Sequence, residues 1–378
     1  MNVADCENEK IMNNLTLVIP SYNNLPYLKL CYESIREASK DVQLILMDDG
    51  SSDGTADWLR SLEDENIIVH TLPNRVGHTI LYDVGFMEAR TDYIGILHAD
   101  MVVAPNFFDK LLPRLERGKV ISARCIEPPL HPEGAEKIVK NFGMTGVDFN
   151  REAFSTFALE QPESTMPSLF APWFIHRDDY FEKVGGHDLQ FAPYGYEDSD
   201  LFVRMIKAGF EPTQYGDLLV YHFTQRGHKW NNGTVGKFND DYQLQMHITR
   251  NRFLNKWGTL MWKNEQHTPT DIPLYYKQLT IKNYDMRESR IKYEFLNFFF
   301  NKVITENGQV IKTDGRDASV NYEIIFDYAS GYDSQQLQTY MMHVPGVVRN
   351  CEVGTYEEGG IIFDVLNTHE LRMGLSNG

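Results

Sequence analysis

Tyr93-Ile94-Gly95-Ile96-Leu97-His98-Ala99-Asp100-Met101 is the stretch whose reading decides the fold. Tyr93 to Leu97 is a short apolar run, the pattern of a strand buried on both faces of a parallel sheet. The run ends at a carboxylate, Asp100. In open α/β sheets ligands bind beyond the carboxyl ends of the strands. An Asp placed there can hold a divalent metal, and the metal a diphosphate. In isolation the same Asp caps a helix or a turn ahead of Pro105. The flanking segments decide between the two.

Upstream, Leu15 to Ile19 reads as a buried strand, stopped by Pro20 and a polar turn, Ser21-Tyr22-Asn23-Asn24. A helix follows from Pro26 to about Ala38, with Leu28, Cys31 and Ile35 on one face. Val42 to Met47 is a second strand, ending in Asp48-Asp49-Gly50-Ser51. Thr55 to Leu62 reads as helix, Asn66 to Leu72 as strand, and His78 to Arg90 as helix, with Ile80, Val84 and Met87 at helical spacing. Beyond the opening stretch, Phe107 to Arg117 reads as helix and Lys119 to Cys125 as a fifth strand. Strands alternating with helices predict a doubly wound parallel sheet. Two of its strands end in carboxylates, at Asp48-Asp49 and at Asp100, which would face one crevice. No GxGxxG follows the first strand, which disfavours a dinucleotide site. There is no GxxxxGK[ST], which excludes a P-loop.

Downstream, Ile126 to Pro167 carries five prolines and no clear periodicity, and reads as a long flap. Leu169 to Ile175 and Leu218 to Tyr221 read as strands. Arg177 to Val184, Asp198 to Ala208 and Asp241 to Trp257 read as helices. From about Met261 the composition shifts to Tyr, Lys, Asn and Asp. Asn321 to Tyr328 and Gly360 to Leu366 read there as strands, and Asp333 to Met341 as a helix. The expected organisation is a mobile tail over 1–14 and an α/β domain over 15–262. Within the domain, 15–125 and 126–262 are expected to form two halves. A small C-terminal α+β unit over 263–378 has no assigned role.

The 378 residues carry a formal net charge of -17, so nucleic acid is not an expected partner. Cys6, Cys31, Cys125 and Cys351 form no CxxC pair, which fits reduced thiols in a cytoplasmic protein. No apolar run approaches the roughly 20 residues of a membrane span; Phe295 to Phe300 is far too short.

The segments LTLVIPSYNN, LILMDDGSSDGT, NRVGH, YIGILHADM, VGGHD and GYEDSDLFVRMIKAGF occur in the order and spacing of family 2 glycosyltransferases. The chain resembles an inverting, metal-dependent nucleotide-sugar transferase of the GT-A fold, from about Leu15 to Gly258. That fold is a Rossmann-like sheet with helices on both faces. The resemblance implies that Pro20, Ser21 and Tyr22 line the nucleotide pocket. It gives Asp49, supported by Asp48, the imide N–H of uracil, hence a UDP-sugar donor. Arg75 would contact the diphosphate. Asp100 would ligate Mn²⁺ or Mg²⁺. The family's DxD stands here as His98-Ala99-Asp100, and the resemblance leaves His98 to ribose or to metal-bound water. His222 ends a strand where related enzymes place a third ligand, with His228 a weaker candidate in the same loop.

In Glu197-Asp198, two carboxylates precede a helix. They can cap it, or one can act as general base toward the hydroxyl of a glycan or other acceptor. The resemblance favours Asp198 as base and does not fully separate it from Glu197. Arg204 would position the pair or a phosphate. Gly185 and Gly186 would let backbone approach a sugar, and Trp173 and Tyr194 could stack on it. Two other readings compete: a sugar nucleotidyltransferase, and a non-catalytic carbohydrate-binding or assembly protein keeping the fold.

Overall fold

The computed structural model describes residues 14–224, 239–257, 276–282, 300–305, 307, 310–313, 320–327, 354–358, 361–367 and 370–375. Residues 1–13 of the expected tail, His228, residues 295–299 of the Phe295 run and the helix at Asp333 to Met341 lie outside the described residues. The chain divides into two compact units. One is Met1–Thr249 with Lys263–Asp271; the other is Arg250–Trp262 with Ile272–Gly378.

The first unit is built on a mixed sheet. Its strands are β1 Leu15–Ser21, β2 Gln43–Asp48, β3 Ile67–Thr71, β4 Tyr93–Ile96, β5 Met101–Val103, β6 Val120–Glu127, β7 Lys137–Val139, β8 Thr165–Met166, β9 Trp173–His176 and β10 Pro212–His222. The order is β3-β2-β1-β4-β9-β6-β10-β5, with β7 beside β6 and β8 beside β10. β1 pairs in parallel with β2 and β4, and β2 with β3. These four strands are the parallel half that the sequence predicts. The other half is mixed, with β6 parallel to β10 and β7. β9 runs antiparallel between β4 and β6, and β5 antiparallel to β10. Four-residue β9 is short and apolar, and carries no mark of direction.

β1 and β2 are buried along almost their whole length, which explains their unbroken apolar runs. The helices are α1 Leu25–Ala38, α2 Thr55–Arg60, α3 His78–Glu88, α4 Phe107–Leu111, α5 Arg151–Leu159, α6 Glu197–Lys207 and α7 Asp240–Trp257. α1 starts at a proline and buries Leu28, Cys31, Ser34 and Ile35. Its Ser34 hydroxyl accepts the Val103 N–H at 3.1 Å, tying the helix to β5. α3 lies close on β1 because residue 85 is glycine: a Cβ there would sit 2.6 Å from Val18.

Residues 126–167 are not a free flap. They contain β7, α5 and β8. Phe142, Phe154 and Ala158 share a buried cluster with Val102, Ile126, Leu219, Tyr221 and Phe223. The Tyr221 hydroxyl accepts the Phe142 N–H at 3.2 Å and donates to the Gly143 carbonyl at 2.7 Å. The prolines mask this core because they break periodicity without removing the aromatic anchors.

The described part of the second unit is a seven-stranded sheet. Its strands are β11 Tyr276–Lys282, β12 Phe300–Thr305, β13 Val310–Thr313, β14 Val320–Asp327, β15 Gly354–Glu358, β16 Ile361–Asn367 and β17 Glu370–Leu375. The order is β13-β12-β11-β14-β17-β16-β15. β11, β12, β14 and β17 pair in parallel, and both edges are antiparallel hairpin partners. Sequence reading finds β14 and β16 and misses the rest, whose strands are dense in Lys, Glu and Asn.

Candidate active site

From β1 the chain goes outward through β2 to β3, then returns to the other side of β1 as β4. That reversal is a switch point, where the carboxyl ends of β1 and β4 diverge and leave a crevice. A cavity of about 370 Å³ lies there, within the range of small-ligand sites. Its wall is made by the turn after β1 (Pro20, Ser21, Tyr22), Asp49, Arg75 and His78, the segment after β4 (His98, Ala99, Asp100), the start of α6 (Glu197, Asp198) and His222.

His98, Asp100 and His222 each offer a ligand atom, and these atoms lie within 4.8 Å of one another. His98 thus joins the two residues that the sequence singled out as ligands. His222 arrives through β10, whose antiparallel pairing with β5 sets His222 opposite Met101. Its Nε2 lies 3.5 Å from Asp100 Oδ1, and its Nδ1 2.9 Å from Glu127 Oε1. Glu127 is held in turn by Lys137 Nζ at 2.8 Å. Burial pushes Glu127 up, but hydrogen bonds and charge from His222 and Lys137 outweigh it and hold the carboxyl at about 2. Burial lowers His222, yet Asp100, Cys125 and Glu127 raise it well above the usual imidazole value. Burial, with the charge of His222, holds His98 at about 4. A carboxylate behind a ligating histidine fixes the tautomer and aims the other nitrogen. Glu127 occupies that place behind His222, and sequence reading did not find it.

On the β1 side, Asp49 accepts the Val76 N–H at 2.7 Å and the Gly77 N–H at 3.0 Å. It therefore shapes the loop before α3. Gly77 has φ 96°, and a Cβ there would meet Pro193 at 2.3 Å, so only glycine fits. Arg75 Nε lies 3.6 Å from Asp49 Oδ2, and the guanidinium packs over the rings of Tyr22 (4.3 Å) and Tyr194 (4.9 Å). Burial raises Asp49, against the lowering effect of its two N–H partners and Arg75. The Ser21 hydroxyl is buried without a hydrogen-bond partner in the protein.

Across the cavity, Glu197 Oε1 lies 2.7 Å from His78 Nε2, while its other oxygen, Oε2, is buried without a partner. Burial raises this carboxyl, and His78 more than offsets it, so Glu197 sits below its usual value. Asp198 is exposed at the cavity wall, and its Oδ1 accepts the Ser199 N–H at 2.6 Å. Tyr196, just before the pair, holds a left-handed φ of 61°. Strained backbone of this kind collects at functional sites.

Four of the expected residues, Asp48, Gly185, Gly186 and Arg204, do not reach the cavity wall. Asp48 is buried and accepts the Ser51 N–H at 3.0 Å, which stabilises the turn after β2. Arg204 bonds Asp200 at 2.8 Å and the carbonyls of Val184 and Gly186, so it braces the Gly185-Gly186 loop. Gly186 belongs to that braced loop. Trp173 and Tyr194 do line the cavity.

Residues 16–155 match the family described as glycosyl transferase family 2, and residues 152–229 match the N-terminal domain of galactosyltransferase. Over these residues the chain is similar to family 2 glycosyltransferases. Its relatives include an undecaprenyl-phosphate 4-deoxy-4-formamido-L-arabinose transferase of Proteus mirabilis (strain HI4320). That protein is 34% identical over 117 residues, 29% of this chain and 36% of the relative. The glycosyltransferase GlyG of Streptococcus pneumoniae serotype 4 is 28% identical over 105 residues, 27% of this chain and 35% of the relative. The match thus spans about a third of the length of each. Among solved structures, S. aureus TarS 1-349 aligns with a TM-score of 0.40 and 12% identity, over 75% of this chain and 71% of that one. GalNAc-T7 with UDP, GalNAc and Mn²⁺ aligns with a TM-score of 0.41 and 14% identity, over 55% and 43%. The GT-A reading rests on the family match and on the sheet itself. No helix among the described residues is long and apolar enough to cross a membrane.

Proposed function

We propose that this domain is a metal-dependent, inverting transferase that moves a hexose from a UDP-sugar to the hydroxyl of a glycan or other acceptor. One observation carries the reading: the His98, Asp100 and His222 cluster and the Glu197-Asp198 pair line the same cavity at the switch point. Two imidazoles and one carboxylate fit Mn²⁺ better than Mg²⁺, which prefers oxygen ligands. The ion would supply charge neutralisation for the leaving diphosphate.

The chain's own residues do the rest. Asp49 sets the loop that places Arg75 between Tyr22 and Tyr194, a flat wall suited to a base. Its carboxylate retains acceptor capacity for a uracil imide N–H. Asp198, exposed in the first turn of α6, takes the proton of the acceptor hydroxyl. Glu197, gripped by His78, holds the start of α6 in place.

The test is a thermal-shift panel of UDP-, GDP- and dTDP-sugars with and without Mn²⁺, followed by donor hydrolysis assays. UDP-sugars should stabilise the protein, by roughly 2.7 kcal/mol at a hundredfold excess over Kd, and hydrolysis should need the metal. Stabilisation by GDP alone would sink the uracil assignment. Binding without hydrolysis would favour a non-catalytic carbohydrate-binding protein, and release of pyrophosphate from a nucleoside triphosphate would favour a nucleotidyltransferase.

A further inference from the structure

A second buried network touches the cavity from α3. Asp83 Oδ1 accepts the Tyr180 hydroxyl and lies 2.8 Å from His187 Nδ1, and Asp83 Oδ2 accepts the His187 backbone N–H at 2.9 Å. The Tyr180 oxygen is itself 2.6 Å from His187 Nδ1. Tyr180 has one proton, and it goes to Asp83. Both neighbours of Nδ1 are then acceptors, so Nδ1 carries the hydrogen and Nε2 keeps its lone pair in the neutral ring.

The surroundings hold this arrangement rigidly. Gly186 has φ 76°, and a Cβ there would sit 2.7 Å from Asp83 Oδ2. Arg204 bonds the Val184 and Gly186 carbonyls. The His187 ring stacks on Tyr82, with centroids 5.5 Å apart at 22°. Both hydrogen bonds of the ring run through Nδ1, while His187 lines the cavity. Tyr82 and His187 line the same cavity as the His98, Asp100 and His222 cluster and the Glu197-Asp198 pair. A sugar transferred within that cavity comes within reach of the His187 ring.

We propose that His187, with its tautomer fixed by Asp83 and Tyr180, reads a hydroxyl of the transferred sugar by accepting its hydrogen bond at Nε2. The assignment rests on the UDP-sugar reading above. It makes His187 a specificity residue for the donor sugar, distinct from the groups that hold nucleotide and metal.

The experiment measures, by calorimetry with Mn²⁺, the affinity gained on going from UDP to UDP-glucose, UDP-galactose, UDP-N-acetylglucosamine and UDP-N-acetylgalactosamine. His187→Asn keeps an N–H for Asp83 and removes the cavity-facing nitrogen. His187→Gln puts an amide oxygen near the Nε2 position. The Asn variant should bind UDP like the wild type and lose roughly five- to tenfold of the gain from the best sugar. The Gln variant should recover part of it. An unchanged gain in His187→Asn, an equal loss for UDP and UDP-sugars, or no wild-type gain from any sugar would overturn the inference while leaving the UDP site standing. A wild-type protein that binds no UDP would remove both.

Discussion

At the residue scale the site divides into groups that would touch ligand and groups that aim them. Asp100→Ala should abolish metal-dependent donor hydrolysis and leave the melting curve of the apoprotein close to wild type. Glu127→Gln should keep the fold but weaken Mn²⁺ binding by about 10- to 100-fold, because it loosens His222. Titration calorimetry with Mn²⁺ checks both, and full Mn²⁺ affinity in Glu127→Gln would show that the carboxylate does not orient the ring. Asp198→Asn should hold UDP at the wild-type Kd and lose roughly 10²–10⁴-fold in kcat, the usual worth of a general base. Glu197→Gln should be damaged as well, since Oε1 loses its charge against His78. A product of retained anomeric configuration by NMR, or an Asp198→Asn enzyme at wild-type rate, would reject the base. The sequence made Asp100 and His222 legible because each closes an apolar run. It did not make His78, Asp83, Glu127 or His187 legible as partners, for these meet across separations of 119, 104 and 95 residues. No local pattern encodes such a meeting.

At the element scale the parallel half of the sheet was readable from its apolar strands and β9 was not. A reversed four-residue strand reads like a forward one. β10 shows a second feature hidden from periodicity, a register shift against β6 between Tyr215 and Leu219. Such a bulge re-aims side chains. Asp217 lies within it and takes two bonds from Arg114, each 3.0 Å, with Lys110 Nζ at 3.3 Å. Burial raises Asp217, and these cations outweigh it, so the carboxyl lies below its usual value. Its contribution is therefore present above the unfolded value of about 3.9 and is lost as pH falls through the lower folded value. Asp217→Asn should cost roughly 2 kcal/mol near neutral pH. Urea unfolding from pH 7 to pH 3 should show the gap to wild type closing toward the acid end. A gap of constant size would mean that the charge of Asp217 plays no part.

At the scale of the whole molecule, the division into two units falls inside α7 rather than after it. The composition of the sequence changes at about Met261, a few residues beyond the end of α7. We expect calorimetry to resolve two unfolding transitions. UDP with Mn²⁺ should raise the one belonging to residues 15–249 and leave the other in place. A single transition that shifts as one would mean that both units unfold together.

The place of β9 bears on how the protein is made. In the folded protein β4 pairs with β1 on one side and with β9 on the other, where Tyr93 meets His176, so during synthesis its partner for that second edge comes about eighty residues later than β4 itself. At the usual elongation rate of about 5–20 residues per second, those roughly eighty residues take about 4–16 seconds. For that interval the nascent chain presents an apolar strand with an open row of N–H and C=O groups, a template for pairing with a neighbouring chain. Slow codons between Asp100 and Trp173 would lengthen the exposure. The yield of soluble protein should then depend on translation speed across that stretch and on the chaperones that cover an open edge.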